Sequence, residues 1–155
     1  MSARPSWLAR LTELGVVLPR TAAPLASYVP AVRTGNLVYT SGQLPMQDGK
    51  LPRAGKVGAE VSPEDGAALA RACALNALAA VDALVGLDAV TRVVKMVGFV
   101  SSAPGFNGQP AVINGASDLL GEVFGEAGAH ARSAVGVSEL PLNSPVEVEL
   151  ILEVR

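Results

Sequence analysis

The clearest pattern in the chain is a strict alternation of apolar and polar positions near its end. Residues 146 to 154 place Val or Leu at every even-numbered position and mostly carboxylates at the odd-numbered ones. A period of two predicts a β-strand with one face in the core. The opposite face would carry Glu147, Glu149, Ile151 and Glu153. A sheet face of that kind suits a subunit interface that encloses polar pockets.

Three segments have helical patterns. The first is short: Ser6 can cap it, Gly15 can end it, and its apolar stripe consists of Trp7, Leu8, Leu11 and Leu14. The second starts at Ser62-Pro63-Glu64-Asp65, where a capping hydroxyl, a first-turn proline and two acids favour a helix N-terminus. We expect it to reach Val85. The third is predicted from Ala111 to Phe124.

The other apolar runs predict strands. Tyr28–Arg33 and Leu37–Ser41, joined through Gly35-Asn36, favour a β-hairpin. A β-branched run predicts a long strand over Val90–Val100, and Ala134–Glu139 predicts a shorter one. Residues 42 to 60 hold several glycines and prolines and predict a long loop with scope for movement.

This order of elements predicts an α+β fold. A short helix precedes the sequence β-β-α-β-α-β-β, which gives a mixed sheet with the two long helices on one face. At 155 residues the chain fits a single domain. Residues 1–27 are expected to be an N-terminal extension with the short helix, and residues 28–155 the main domain.

Composition narrows the function classes. Half of the residues are apolar, only 17% are charged, and mean hydropathy is +0.38. The excess comes from Ala, Val and Gly, and no uninterrupted run approaches the roughly 18 apolar residues of a bilayer span. Exposed apolar surface of this kind usually becomes a subunit interface, so we expect an oligomer.

Charge and residue usage argue against several partners. The net charge is −2, the pI is about 5.4 and aromatic residues make up 4%, which disfavours nucleic acid. One cysteine permits no internal disulfide, and a single histidine argues against a zinc site, which usually combines several His, Cys or carboxylate ligands. No signal-peptide pattern opens the chain, so a cytoplasmic location is expected, with no metal, membrane or nucleic-acid partner.

The candidate chemistry lies in the last quarter of the chain. Arg132 opens one apolar segment and the carboxylates of Glu147 and Glu149 follow in the next. If the two segments pair as strands, a guanidinium and a carboxylate can face one cavity. A guanidinium binds carboxylates through two parallel hydrogen bonds. A half-buried Glu beside a like charge has a raised pKa and can transfer protons.

Several motifs together resemble one family. The blocks are Tyr28, Ala31-Val32, Gly35-Asn36-Leu37, Thr40-Ser41-Gly42-Gln43-Leu44-Pro45, Ala131-Arg132-Ser133-Ala134-Val135, Leu140-Pro141 and Val146-Glu147-Val148-Glu149. In this order and at this spacing they resemble the RidA family of reactive-intermediate deaminases, also called YjgF-like, with older endoribonuclease labels. The match covers roughly residues 28 to 155.

The resemblance implies a fold and an activity. It implies a chorismate-mutase-like sandwich and a homotrimer with clefts between subunits. In the well-studied branch these clefts hydrolyse small 2-imino and 2-enamino acids to 2-keto acids and ammonia without metal or cofactor. It also implies that Arg132 holds the substrate carboxylate and Glu147 positions or activates water. The implied substrate-binding residues are Tyr28, Ser41, Gly42, Asn114 and Arg132.

Other interpretations stay open. The same cleft could belong to a non-catalytic trimer that binds 2-keto acids, while a ribonuclease is opposed by the acidic balance. Arg132 could simply form an ion pair with Glu147 or Glu149, on an edge strand or at an interface. A Ser41–His130 catalytic pair is not expected, and His130 is more typical of an exposed loop. Cys73 is expected to pack as a small apolar side chain.

Overall fold

The computed structural model describes residues 3–21 and 27–155. Helices and strands follow one another in the predicted order. The helices are α1 (Trp7–Glu13), α2 (Pro63–Val85) and α3 (Gln109–Phe124). The strands are β1 (Ala31–Thr34), β2 (Leu37–Thr40), β3 (Val90–Ser101), β4 (Ala131–Val137) and β5 (Val146–Val154).

The five strands form one mixed sheet in the order β1-β2-β5-β3-β4. Only β3 and β4 run parallel, because α3 provides the crossover between them. The last two strands, β4 and β5, are therefore not neighbours, since β3 lies between them. The condition that the segments of Arg132 and Glu147 pair as strands is therefore not met.

Helix caps match the sequence closely, whereas some strand bounds differ. The side chains of Ser6 and Ser62 cap α1 and α2 as predicted. Strand β4 starts at Ala131 rather than Ala134, because its parallel ladder with β3 begins there. Helix α3 starts at Gln109, two residues before the predicted Ala111.

The first hairpin is shorter than its apolar run. Its strands pair from Ala31 opposite Thr40 to Thr34 opposite Leu37. Tyr28 therefore lies before the hairpin rather than in it. Gly35 takes a positive φ of 56° in the two-residue turn, where a side chain would be strained.

The core lies between the sheet and the pair α2–α3. The even-numbered residues of β5 are at most 1% exposed, which confirms the alternation seen in the sequence. The two helices approach closely at Gly115, where a Cβ would lie 1.9 Å from the carbonyl oxygen of Ala67. Helix α3 meets the sheet at Gly98, which leaves room for Ile113.

Helix α2 is the one helix of the described residues that is long and apolar enough to cross a membrane by length and composition. It packs against α3 and β5, and eleven of its residues are buried. A core helix of a folded domain passes the same test, so its composition is explained by packing.

The loop over residues 42 to 60 is tethered to the core. The buried side chain of Asn76 on α2 donates hydrogen bonds to the carbonyls of Leu44 and Met46, at 2.9 and 3.1 Å. Gln43 exchanges two backbone hydrogen bonds with Val148 of β5. Buried Val57 anchors the other end of the loop.

The N-terminal segment packs on the helical side of the domain. The indole of Trp7 donates to the carbonyl of Val90 at 2.8 Å and meets the ring of Phe124 edge-on. The Thr21 hydroxyl donates to the carbonyl of Ala79 in α2. The predicted boundary at residue 27 stays a prediction, and residues 22–26 lie outside the described residues.

The face of the sheet turned away from the helices, called the outer face below, has no layer of the described residues over it. Three of its apolar side chains, Val32, Tyr39 and Val135, are 43–53% exposed. An open depression of about 200 Å³ crosses it beside Tyr39, Lys95 and Glu149. The strand registers place on this face Val32, Tyr39, Lys95, Val97, Phe99, Ser133, Val135, Glu147, Glu149 and Ile151.

Candidate functional site

The carboxylate of Glu147 lies against the backbone of Gly42. Glu147 pairs with Phe99 of β3 and faces the outer side of the sheet. The hydrogen bonds between Gln43 and Val148 bring the loop beside it. A Cβ on Gly42 would lie 2.2 Å from Oε1 of Glu147, so only glycine leaves room for this carboxylate position. Two predicted site residues are thus in direct contact.

Glu147 has the electrostatics of a proton-transfer group. Partial burial of its carboxyl group, with the nearby charge of Glu149, raises the pKa of Glu147 above its ordinary value. Both causes disfavour the charged form. A carboxyl group with a raised pKa accepts or donates a proton more readily near neutral pH.

Ser41 secures the segment that carries Tyr28. Its hydroxyl donates to the carbonyl of Val29 at 2.6 Å, and its backbone amide donates to Pro30 at 2.8 Å. Tyr28 is 50% exposed at the start of this segment. Ser41 thus has a positioning contact in this chain. We call Tyr28, Ser41, Gly42 and Glu147 the carboxylate half-site.

Arg132 lies on the other side of the sheet. Its register partner on β3 is the fully buried Met96, which faces the helices. The Arg132 Nη1 donates to Oδ1 of Asn114 at 2.7 Å and to Oγ of Ser117 at 3.2 Å, both on α3. The guanidinium is partly exposed at the open edge of the sheet. Asn114, one of the substrate-binding residues that the resemblance implies, is thus a direct hydrogen-bond partner of Arg132.

His130 extends this network. Its Nε2 lies 3.0 Å from the Ser117 hydroxyl and its Nδ1 lies 2.6 Å from the carbonyl oxygen of Gly128. The expectation of an exposed loop histidine is wrong, because both ring nitrogens are engaged and the residue is half-buried. His130 bonds Ser117 rather than Ser41. We call Asn114, Ser117, His130 and Arg132 the arginine half-site.

The two half-sites lie on opposite faces of the sheet. Arg132 contacts the helical layer, whereas Glu147 lies on the outer face. Within one chain Arg132 bonds Asn114 and Ser117, so the alternative of an ion pair with Glu147 or Glu149 of the same chain is wrong. An ion pair across an interface stays a prediction. One chain therefore does not bring the guanidinium and the carboxylate into a single cavity.

Two further observations concern cysteine and metal ligands. Cys73 is fully buried on α2, as expected for a small apolar side chain, and burial raises the pKa of its thiol well above its ordinary value. Within residues 3–21 and 27–155, no three His, Cys, Asp or Glu side chains gather as metal ligands would.

Sequence reasoning missed Ser117. The serine follows Asn114 by three positions, which places both on one face of a helix. That spacing is a usable signal once Asn114 is a candidate. The pairing of His130 with Ser117 has no such signal, because thirteen positions along the chain separate them.

A comparison with known protein families matches almost the whole chain to one family. The family model described as "YjgF/chorismate mutase-like, putative endoribonuclease" matches residues 8–154. The chain belongs to the YjgF/RidA family, and its mixed five-stranded sheet with helices on one face is the chorismate-mutase-like fold.

Particular relatives differ in what their names say. Protein TCP17 of Trypanosoma cruzi is 47% identical over 149 residues, covering 95% of this chain and 93% of the relative. The 2-iminobutanoate/2-iminopropanoate deaminase of Escherichia coli is 36% identical over 131 residues, covering 83% and 88%. The crystal structure of Atu1372 from Agrobacterium tumefaciens, described as of unknown function, has a TM-score of 0.89 at 47% identity and covers 96% and 92%.

Proposed function

We propose that this protein hydrolyses small 2-imino and 2-enamino acids to 2-keto acids and ammonia. The observation that carries the proposal is the partly exposed guanidinium of Arg132, held by Asn114 and Ser117 through Nη1 alone. Its remaining N–H groups are directed at no acceptor among the described residues, which suits a ligand carboxylate. The relatives named as imine deaminases support the same reaction.

The proposed cleft is shared between copies of the chain. Arg132 and Glu147 act on one substrate only if a neighbouring copy supplies one of them, because they lie on opposite faces of the sheet. The exposed apolar residues of the outer face supply a surface for such packing. A homotrimer, the closed ring expected for this family, would form three equivalent clefts.

Each group has a defined task in the reaction. Arg132 binds the carboxylate and orients the imine carbon. Glu147 accepts a proton from water as the water oxygen bonds to that carbon, and the imine nitrogen takes up a proton and becomes an amine. The amine takes up a second proton, the carbon–nitrogen bond breaks and ammonia leaves, while the hydroxyl loses its proton and gives the 2-keto acid. Imines hydrolyse spontaneously in water, so positioning with acid–base help is sufficient.

The test measures 2-keto acid formation from 2-iminobutanoate generated in situ. Wild type should accelerate it, and Arg132→Ala should lower kcat/KM by about ten- to a hundredfold, because a charged hydrogen-bonded contact is lost. Arg33→Ala is the matched control, since Arg33 lies at the hairpin turn and bonds only backbone carbonyls there.

Equal rates for wild type and Arg132→Ala would remove the deaminase proposal. Wild type that binds 2-oxobutanoate through Arg132 but releases no 2-keto acid from the imine would instead indicate the non-catalytic binding trimer. Thermal stabilisation by 2-oxobutanoate, absent in Arg132→Ala, measures that binding.

A further inference from the structure

We propose that Ser117 and His130 are positioning residues that fix the guanidinium of Arg132 for a ligand carboxylate. The proposal rests on the proposed function and adds two residues to it. Neither residue touches the ligand. Ser117 accepts a hydrogen bond from Nη1 of Arg132, and His130 holds Ser117 in place. This leaves Nε and Nη2 of Arg132 in a fixed orientation and available to the ligand.

Within the part of the chain that the structure describes, Arg132 donates hydrogen bonds from only one of its three guanidinium nitrogens, Nη1. Nη1 bears two hydrogens, and they are directed to Asn114 Oδ1 and Ser117 Oγ. The Nε–H and the Nη2 group are left without an acceptor among the described residues. Nε and Nη2 form the side-on fork that matches the two oxygens of a carboxylate. The two contacts at Nη1 thus select which edge of Arg132 binds the ligand.

The carbonyl of Gly128 determines where the hydrogens of the His130 ring and of the Ser117 hydroxyl lie. The carbonyl of Gly128 can only accept, so Nδ1 of His130, 2.6 Å away, carries the hydrogen. In the neutral ring Nε2 is then an acceptor, and the Ser117 hydroxyl donates to it at 3.0 Å. The Ser117 hydrogen is thereby directed away from Arg132. Its lone pairs are left to accept from Nη1.

The anchor of this chain of hydrogen bonds is itself fixed. A Cβ on Gly128 would lie 2.3 Å from the carbonyl oxygen of Leu120, so the backbone of Gly128 packs directly on α3. Ser117 is on the same helix. A mid-helix serine ordinarily bonds a carbonyl of the preceding turn, whereas this one contacts His130 and Arg132. The network therefore ties the start of the edge strand β4, and the residues just before it, to α3.

Because the chain has a single histidine, one nitrogen NMR spectrum tests the proton assignment. At a pH where the imidazole is neutral, ¹⁵N-labelled wild type should show protonated Nδ1 and unprotonated Nε2. Both signals should shift when 2-oxobutanoate is added. A spectrum with protonated Nε2 would overturn the proposal, whatever the enzyme activity.

Binding of 2-oxobutanoate tests the positioning role. Ser117→Ala should raise its Kd about three- to tenfold, as expected for one lost hydrogen bond. Ser117→Thr keeps the hydroxyl and should stay within about twofold of wild type. Ser138→Ala is the matched control, since Ser138 is exposed just beyond β4. Should Ser117→Ala fail to fold, the Thr variant and the wild-type spectrum still decide the matter.

The outcomes separate this inference from the proposed reaction. Tight binding by wild type, weakened in Ser117→Ala and rescued in Ser117→Thr, supports the positioning pair even if no imine is hydrolysed. An active deaminase whose Ser117→Ala variant has unchanged Kd and KM overturns the positioning pair and leaves the reaction standing. No binding of 2-oxobutanoate by wild type overturns the positioning pair, while the imine assay decides the reaction independently.

Discussion

At the residue scale, a substitution at the contact between Gly42 and Glu147 should affect catalysis much more than it affects stability. The atom that a Cβ on Gly42 would meet first is Oε1 of Glu147, the far end of a flexible side chain. Glu147 can rotate away, so Gly42→Ala should cost stability little, about 1 kcal/mol or less. The displaced carboxylate should lower deaminase kcat/KM by at least about tenfold.

A double-mutant cycle checks this assignment. In a Glu147→Ala background the added methyl of Gly42→Ala has no carboxylate to displace, so it should cause no further loss of kcat/KM. Losses that simply multiply in the double variant would show that Gly42 acts independently of Glu147.

Residue identities at the site were predictable to different degrees. Arg132, Glu147, Ser41 and Gly42 belong to short motifs whose spacing is visible along the chain. The hydrogen bond between Ser117 and His130 could not be predicted. It joins a helix to the segment before β4, and it depends on where α3 lies over the sheet edge. Which side of the sheet Arg132 faces also depended on the strand order.

At the element scale, the packing of α2 on α3 depends on a single missing side chain. A Cβ on Gly115 would overlap the backbone carbonyl of Ala67, which cannot rotate away as a side chain can. Gly115→Ala should therefore lower the free energy of unfolding by about 1–3 kcal/mol, as overpacking does. Urea unfolding at a fixed protein concentration measures it.

The matched control lies on the same helix. A Cβ on Gly121 would meet no atom of the described residues within 4 Å, so Gly121→Ala should raise the free energy of unfolding by about 0.5–1 kcal/mol through helix propensity. Equal effects of the two substitutions would contradict the close helix contact.

Elements with local signals were predicted well. Ser62, Pro63 and the terminal Gly86 define α2 without help from the rest of the fold. The start of β4 was missed because its ladder with β3 begins at Ala131, and nothing local marks that pairing. The strand order of the sheet could not be read locally either. It depends on the crossover through α3, which places β4 at the edge beside β3 rather than beside β5.

At the scale of the whole molecule, the proposed cleft depends on a partner copy. Each half-site is assembled within one chain, yet the two open on opposite faces of the sheet. The outer face that carries Glu147 exposes apolar side chains that no described part of the chain covers. The proposed ring of identical chains would explain the exposed face and the divided site together.

The most direct measurement is subunit complementation between Arg132→Ala and Glu147→Gln. The two chains, carrying different tags, are co-expressed, and mixed oligomers are purified and verified by native mass spectrometry. Each parent variant alone should be nearly inactive. If every cleft of a trimer takes its arginine from one chain and its carboxylate from the next, each mixed trimer has one intact cleft in three and should show about a third of wild-type deaminase activity. Mixed oligomers no more active than the two parents would contradict a cleft shared between chains.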